Sequence, residues 1–196
     1  MKNLRKPEEI IINGVSLKEL IENHKKWLDN EETGKQLVLE GADLSYANLI
    51  GADLEGADLE NADLRKANLI GADLENAYLK NADLRKANLI DAGLSYANLI
   101  GTNLIGVDLE NADLEGADLE DADLESTNLR FANLKNANLR FANLKNANLY
   151  DTNLYNANLY NADLENADLK NADLSYANLR RTNLEGADLE NAYLNV

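Results

Sequence analysis

Leucine stands at position 39 and at every fifth position after it through Leu194, 32 consecutive times without a slip. From Ala42 onward the residue two before each leucine is alanine, replaced only by Thr102, Val107, Thr127, Thr152 and Thr182. The residue just before each leucine is Asp or Asn, except at Val38, Tyr78, Gly93 and Tyr193. A period of five excludes both regular elements. On a straight α-helix each step of five advances about 140°, which smears the leucines over every side. Asn, Asp and Gly at this density are also poor helix formers. In a flat strand side chains alternate, so an odd step throws successive leucines to opposite faces. Within one unit, however, alanine and leucine two apart share a face. The pattern is satisfied only if each short extended segment ends in a corner that turns the inward direction with it, so the chain must coil.

The last position of each unit supplies that corner. Of the 32 positions from 41 to 196 in steps of five, eight are Gly and eleven are Asn. These residues best tolerate the positive φ needed at the third position of a type II turn. The number of units per coil follows from the outward positions, because stacking rewards like neighbours in adjacent rungs. Ile50, Ile70 and Ile90 recur at a spacing of twenty, as do Arg65-Lys66 and Arg85-Lys86. Four units per coil fit best. The ten-residue repeat within FANLKNANLR and FANLKNANLY at 131 to 150 is compatible with that count.

The run of ADLxx and ANLxx units resembles the bacterial pentapeptide-repeat proteins. The resemblance covers residues 39 to 196 and implies an all-β solenoid: a right-handed quadrilateral β-helix with leucine and the small residue two before it pointing inward. Four sides give about eight coils, or a rod roughly 38 Å long at the usual rung spacing of about 4.8 Å. Residues 1 to 38 lack the repeat and read as an N-terminal α-helical cap. Ser16 with Glu19 makes a capping box, and Leu17, Leu20, Ile21, His24, Trp27 and Leu28 form one apolar stripe, predicting a helix at about 17 to 29. A solenoid leaves its first coil open, and a covering helix is a standard remedy. HKKWL at 24 to 28 also resembles a helix that often precedes bacterial arrays of this family. His24 is expected to be a structural cap residue, and Ile10 to Ile12 before Asn13-Gly14 a strand or hairpin arm against the first coil.

The residues offer little to catalysis or cofactor binding. There is no Cys, so no disulfide, thiolate nucleophile or cysteine-ligated metal, and one His cannot build a histidine metal site. No serine sits in a nucleophile elbow, the glycines are spread singly at corners rather than gathered in a phosphate loop, and solvated carboxylates without a cleft make poor acid-base pairs. No enzyme activity and no cofactor are expected. The formal charge of −16 repels phosphate backbones, so direct nucleic-acid binding is not expected. No apolar run suits a signal peptide or a membrane span, which points to the cytoplasm and away from the membrane.

What remains is surface. Residues 41 to 129 hold 5 basic and 19 acidic side chains, whereas 130 to 160 hold Arg130, Lys135, Arg140 and Lys145 against Asp151 alone. This neutral-to-basic belt collects Phe131, Phe141, Tyr150, Tyr155 and Tyr160 at outward positions. With Arg130 and Arg140 these aromatics form a candidate partner surface, since exposed aromatics and arginine are enriched at interfaces. The Ile50, Ile70, Ile90 column is a second candidate. Two functions compete: a non-catalytic scaffold rod that binds another protein, and a DNA mimic that inhibits or protects DNA gyrase or topoisomerase. The second is implied by the resemblance, because some family members that protect against quinolones are acidic rods occupying the DNA site. The unbroken array and the interrupting belt argue against it. Finally, Leu184, Leu189, Tyr193, Leu194 and Val196 mark the last coil as a candidate self-association end, with a tail-to-tail homodimer as the simplest closed assembly.

Overall fold

The computed structural model describes residues 4–195. Every corner position from Gly41 to Asn191 has φ between 56° and 71°, whichever residue occupies it. Each corner is closed by a backbone bond across it, as where Ala47 N–H donates to Leu44 O at 2.9 Å. A left-handed third residue within that bond makes a type II turn. The side chain before leucine completes it: Asp58 Oδ1 accepts the N–H of Glu60 at 3.1 Å, and Asn138 Oδ1 that of Arg140 at 3.3 Å. Asp and Asn recur because their short side-chain oxygen reaches the N–H two residues on. The repeat therefore encodes a corner three times over, in its small residue, its Asx oxygen and its left-handed position.

Twenty residues carry the chain once round. Parallel bridges join residues at that spacing on each of four sides, from Val38–Asp58 and Asp58–Tyr78 on one to Asp173–Tyr193 on another. Each side is bridged at single residues instead of forming an extended strand. We name the faces by their first leucines, Leu39, Leu44, Leu49 and Leu54; residues ten apart lie on opposite faces. Inside, the leucines from Leu39 to Leu174 are at most 2% exposed. Burying each one contributes about 1.5–3 kcal/mol before entropy. Threonine at the small position is accommodated by a bond to the rung below: Thr102, Thr127 and Thr152 are buried and donate to Leu79, Leu104 and Leu129 O at 2.8–2.9 Å.

The first coil is closed by the non-repetitive segment. A 3-10 turn at Pro7–Glu9 leads into a hairpin of β1 (Ile11–Ile12) and β2 (Val15–Ser16), turned at Asn13 and Gly14 with φ of 50° and 85°. Helix α1, Leu17–Leu28, follows, its N-terminus capped by Ser16 Oγ accepting Glu19 N–H at 3.2 Å. Ile10 and Leu17 are buried against the leucine ladder, with Ile12, Leu20 and Ile21 packed on it. Trp27, placed in the apolar stripe by its spacing, is instead 40% exposed and stacks on His24 at 5.4 Å.

Edge groups of the first coil find partners one by one. Arg5 adds a partial rung below Asn48: its N–H donates to Tyr46 O at 2.7 Å, and its carbonyl accepts Asn48 N–H at 2.8 Å. Its guanidinium donates to Asp43 O and Ser45 O, both at 3.2 Å. Gln36 Nε2 donates to Gly56 O at 2.8 Å. His24 is fully buried, accepting Leu37 N–H on Nδ1 at 3.0 Å and donating from Nε2 to Glu55 O at 2.9 Å.

Candidate functional site

Folding the outward positions at twenty residues turns the charge blocks into rings. Glu110, Glu115, Glu120 and Glu125 occupy the four faces of one coil; Arg130, Lys135, Arg140 and Lys145 those of the next; Tyr150, Tyr155, Tyr160 and Glu165 those of the third. The basic ring is not a free positive surface. Arg130, Lys135 and Arg140 pair down to Glu110, Glu115 and Glu120 at 4.0, 3.1 and 3.7 Å. Lys145 pairs upward to Glu165 at 3.1 Å and Asp163 at 3.2 Å, and those carboxylates raise its pKa. The belt read along the chain as neutral-to-basic is thus neutralised across it.

The aromatics sit on this paired ring. On the Leu49 face Phe131 meets Tyr150 edge-on at 5.8 Å, with the Arg130 guanidinium 5.0 Å from the Phe131 ring and 5.8 Å from Tyr150. On the opposite Leu39 face Phe141 meets Tyr160 at the same 5.8 Å and 87°, with Arg140 5.2 Å from Phe141. Sequence explains the duplication: LRFANLKNAN at 129 to 138 is repeated without change at 139 to 148, and ten residues are half a coil. Tyr155 on the Leu54 face pairs instead with Tyr176 at 5.3 Å. Arg181 completes the Leu39 cluster, lying 5.7 Å from the Tyr160 ring and donating to its hydroxyl at 2.9 Å.

Phe131 and Phe141 are corner residues, each with φ of 60° and 40% exposed. A bulky side chain in the left-handed region costs on the order of 1–2 kcal/mol. Reading the residues along the chain did not reveal that strain, nor the participation of Glu110, Glu120, Tyr176 and Arg181; all four emerge once the sequence is folded at twenty.

The other candidates lie apart from this band. Ile50 is 55% exposed, and Ile70 and Ile90 are half-buried above it on the Leu49 face. At the far end Leu184 and Leu189 are half-buried, while Leu194 and Tyr193 are 51% and 64% exposed; Val196 lies outside the described residues. On the Leu44 face Arg65 and Arg85 clasp Asp63 and Asp83 at 2.5 and 2.6 Å, and those bonds hold both carboxyls below the usual carboxylate range. Among the described residues no His, Asp and Glu group is arranged to hold a metal ion, and no helix is long and apolar enough to cross a membrane.

Comparison with solved structures finds HetL, a pentapeptide repeat protein involved in heterocyst differentiation regulation from Nostoc sp. strain PCC 7120. It is 38% identical over 80% of this chain and 82% of its own, with a TM-score of 0.34. QnrB1, a plasmid-mediated fluoroquinolone resistance protein, is 22% identical over 82% of this chain and 92% of its own, at a TM-score of 0.54, a likeness of fold. Rfr23 from the cyanobacterium Cyanothece 51142 is 37% identical over 57% of this chain and 63% of its own, at a TM-score of 0.34. Comparison with curated proteins finds no match. The family profile for pentapeptide repeats (8 copies) matches residues 36–61, 57–95, 67–106, 92–130, 132–171 and 167–195. With an inward leucine at every fifth residue and a coil every twenty, this chain belongs to the pentapeptide-repeat family, whose members are right-handed quadrilateral β-helices and generally structural, non-catalytic proteins.

Proposed function

We propose that this chain is a non-catalytic scaffold rod of about eight coils, and that its partner-binding surface is the band of Arg130, Phe131, Phe141, Arg140, Tyr150, Tyr155 and Tyr160. One observation carries the reading: two matching clusters of arginine, phenylalanine and tyrosine stand on opposite faces, each with its phenylalanine held at φ 60°. Asn or Gly occupies most corners without strain, so an aromatic there costs stability that ring contacts of about 0.5–1.5 kcal/mol do no more than offset. Interfaces concentrate binding energy in such aromatic and arginine anchors. The partner in this reading is a protein in the cytoplasm that meets both faces.

The test is a cross-linked pull-down from native extract with the wild type and with Phe131→Asn/Phe141→Asn, read by mass spectrometry. A protein retained by the wild type and lost from the double variant, with both rods equally folded, supports the surface. Identical retention on the two rods counts against it. The duplex-mimic alternative has an opposing observation. On the Leu44 face Arg65, Lys66, Arg85 and Lys86 offset Asp43, Asp63 and Asp83, and isoleucines line the Leu49 face, so the net negative charge of the first coils concentrates on the other two faces. Inhibition of purified gyrase that disappears when Asp53, Glu55, Asp73 and Glu75 are neutralised would favour the mimic.

A further inference from the structure

We propose that the α1 cap is an acid-released latch, opened when His24 takes up a second proton and lets go of the first coil. The hydrogen bonds define the tautomer. Leu37 N–H points at Nδ1 at 3.0 Å, so Nδ1 carries no proton, and Nε2–H is given to Glu55 O at 2.9 Å. A further proton can go only onto Nδ1. There a donor would face the Leu37 donor, and the bond joining α1 to the first rung is lost. The ring is 0% exposed, so the imidazolium would also be stripped of water.

The charges around the ring do not rescue it. From the first coil, Asp53 favours the cation, as does the bond to Glu55 O, but burial outweighs both and holds the pKa below the ordinary 6.5. Glu55 carries a carboxylate whose own pKa is pushed up by desolvation and by Asp73, Glu75 and Asp53. On α1 itself Lys25 and Lys26 follow His24 in the last turn. The 3-10 turn packed on α1 carries Glu8 and Glu9, the hairpin strands carry no titratable side chain, and the segment after α1 carries Asp29, Glu31, Glu32 and Lys35.

The sign follows from linkage. With the folded pKa below the unfolded 6.5, both states are neutral above that value and the latch is at full strength. As pH falls from 6.5 towards the folded pKa, only the open state binds the proton, so closure weakens; below both values the loss is complete. Each unit of depression lowers the closing constant tenfold. Glu55 acts oppositely and at lower pH, because a raised carboxylate pKa favours the folded state as it protonates near and above 4.5. The window just under 6.5 is therefore that of His24.

The chain contains one His and one Trp, and they are stacked, so both signals are unambiguous. The experiment is an NMR titration of the His24 ring on the full chain from pH 8 to 5. Trp27 fluorescence and the amide exchange of Leu37, referred to the mid-rod amide of Leu119, are followed in parallel. We expect a ring midpoint below 6.5, a Trp27 change with the same midpoint, and loss of Leu37 protection in step. His24→Gln keeps a donor and an acceptor but cannot titrate, and its Leu37 protection should be flat over this range. A ring midpoint at or above 6.5, Leu37 protection unchanged through the titration, or the same acid loss in His24→Gln would overturn the proposal. Should the cap of the variant not close at all, the wild-type titration alone decides.

Discussion

Phe131 and Phe141 occupy equivalent corners on opposite faces of the rod, each at φ 60° and each edge-on to a tyrosine from the next coil, Tyr150 and Tyr160, at 5.8 Å. Two identical strained sites half a coil apart follow from a ten-residue duplication, and they give the proposed surface a stability signature that can be measured without a partner.

Replacing both phenylalanines with asparagine should leave the urea midpoint of the rod unchanged or raise it. Relief of about 1–2 kcal/mol of backbone strain at each site balances or exceeds the lost ring contacts of about 0.5–1.5 kcal/mol. A loss of more than about 1 kcal/mol per site would make the rings a structural ladder rather than a partner surface.

Leu119 is fully buried at mid-rod, whereas Glu120 is half-buried and pairs with Arg140 and Asn138 outside. Leu119→Asp places an unpaired carboxylate among leucines and should cost several kcal/mol, enough to prevent a cooperative transition. Glu120→Gln removes a partly exposed ion pair and should cost less than about 1 kcal/mol. Circular dichroism melts of the two variants compare them directly; equal tolerance would put the register in error.

Gly34 packs so closely beneath α1 that a Cβ would overlap the backbone N and Cα of Trp27. Gly34→Ala should therefore lift the segment that carries Gln36 and Leu37 to the first coil. Limited proteolysis is expected to cut between residues 29 and 38 much faster in the variant, while amides beyond the first two coils keep their protection, because a solenoid loses order from its ends. Unchanged cleavage would mean that the loop shifts without undocking.

A second acid transition should come from the Leu44 face. Arg65 and Arg85 hold Asp63 and Asp83 below the ordinary 3.8, first through their side-chain hydrogen bonds. Depressed carboxylates contribute stability above the unfolded pKa and lose it as pH falls through the folded one. Melting temperature should thus fall below about pH 3.8 in the wild type, and less steeply in Asp63→Asn/Asp83→Asn. Equal slopes in the two proteins would remove these pairs as the source.

The coil and its inward leucines are determined by the sequence itself, because they rest on constraints that repeat every five residues and act locally. Gly or Asn stands at most corners, Asp or Asn sits two residues before the N–H it receives, and Ala and Leu alternate on one side of each short segment. The tertiary structure decided what joins residues about twenty apart or comes from outside the array. Along the chain Arg130 to Lys145 read as a separate basic belt; wound into a coil they lie against Glu110, Glu115, Glu120 and Glu165 and are neutralised. Arg5, Gln36 and His24 follow no period, so nothing local marks them as partners of Tyr46, Gly56 and Glu55. Their roles arise only because the lower edge of the first coil faces the capping segment instead of another rung, and a buried backbone acceptor must find a donor from whatever segment folds against it.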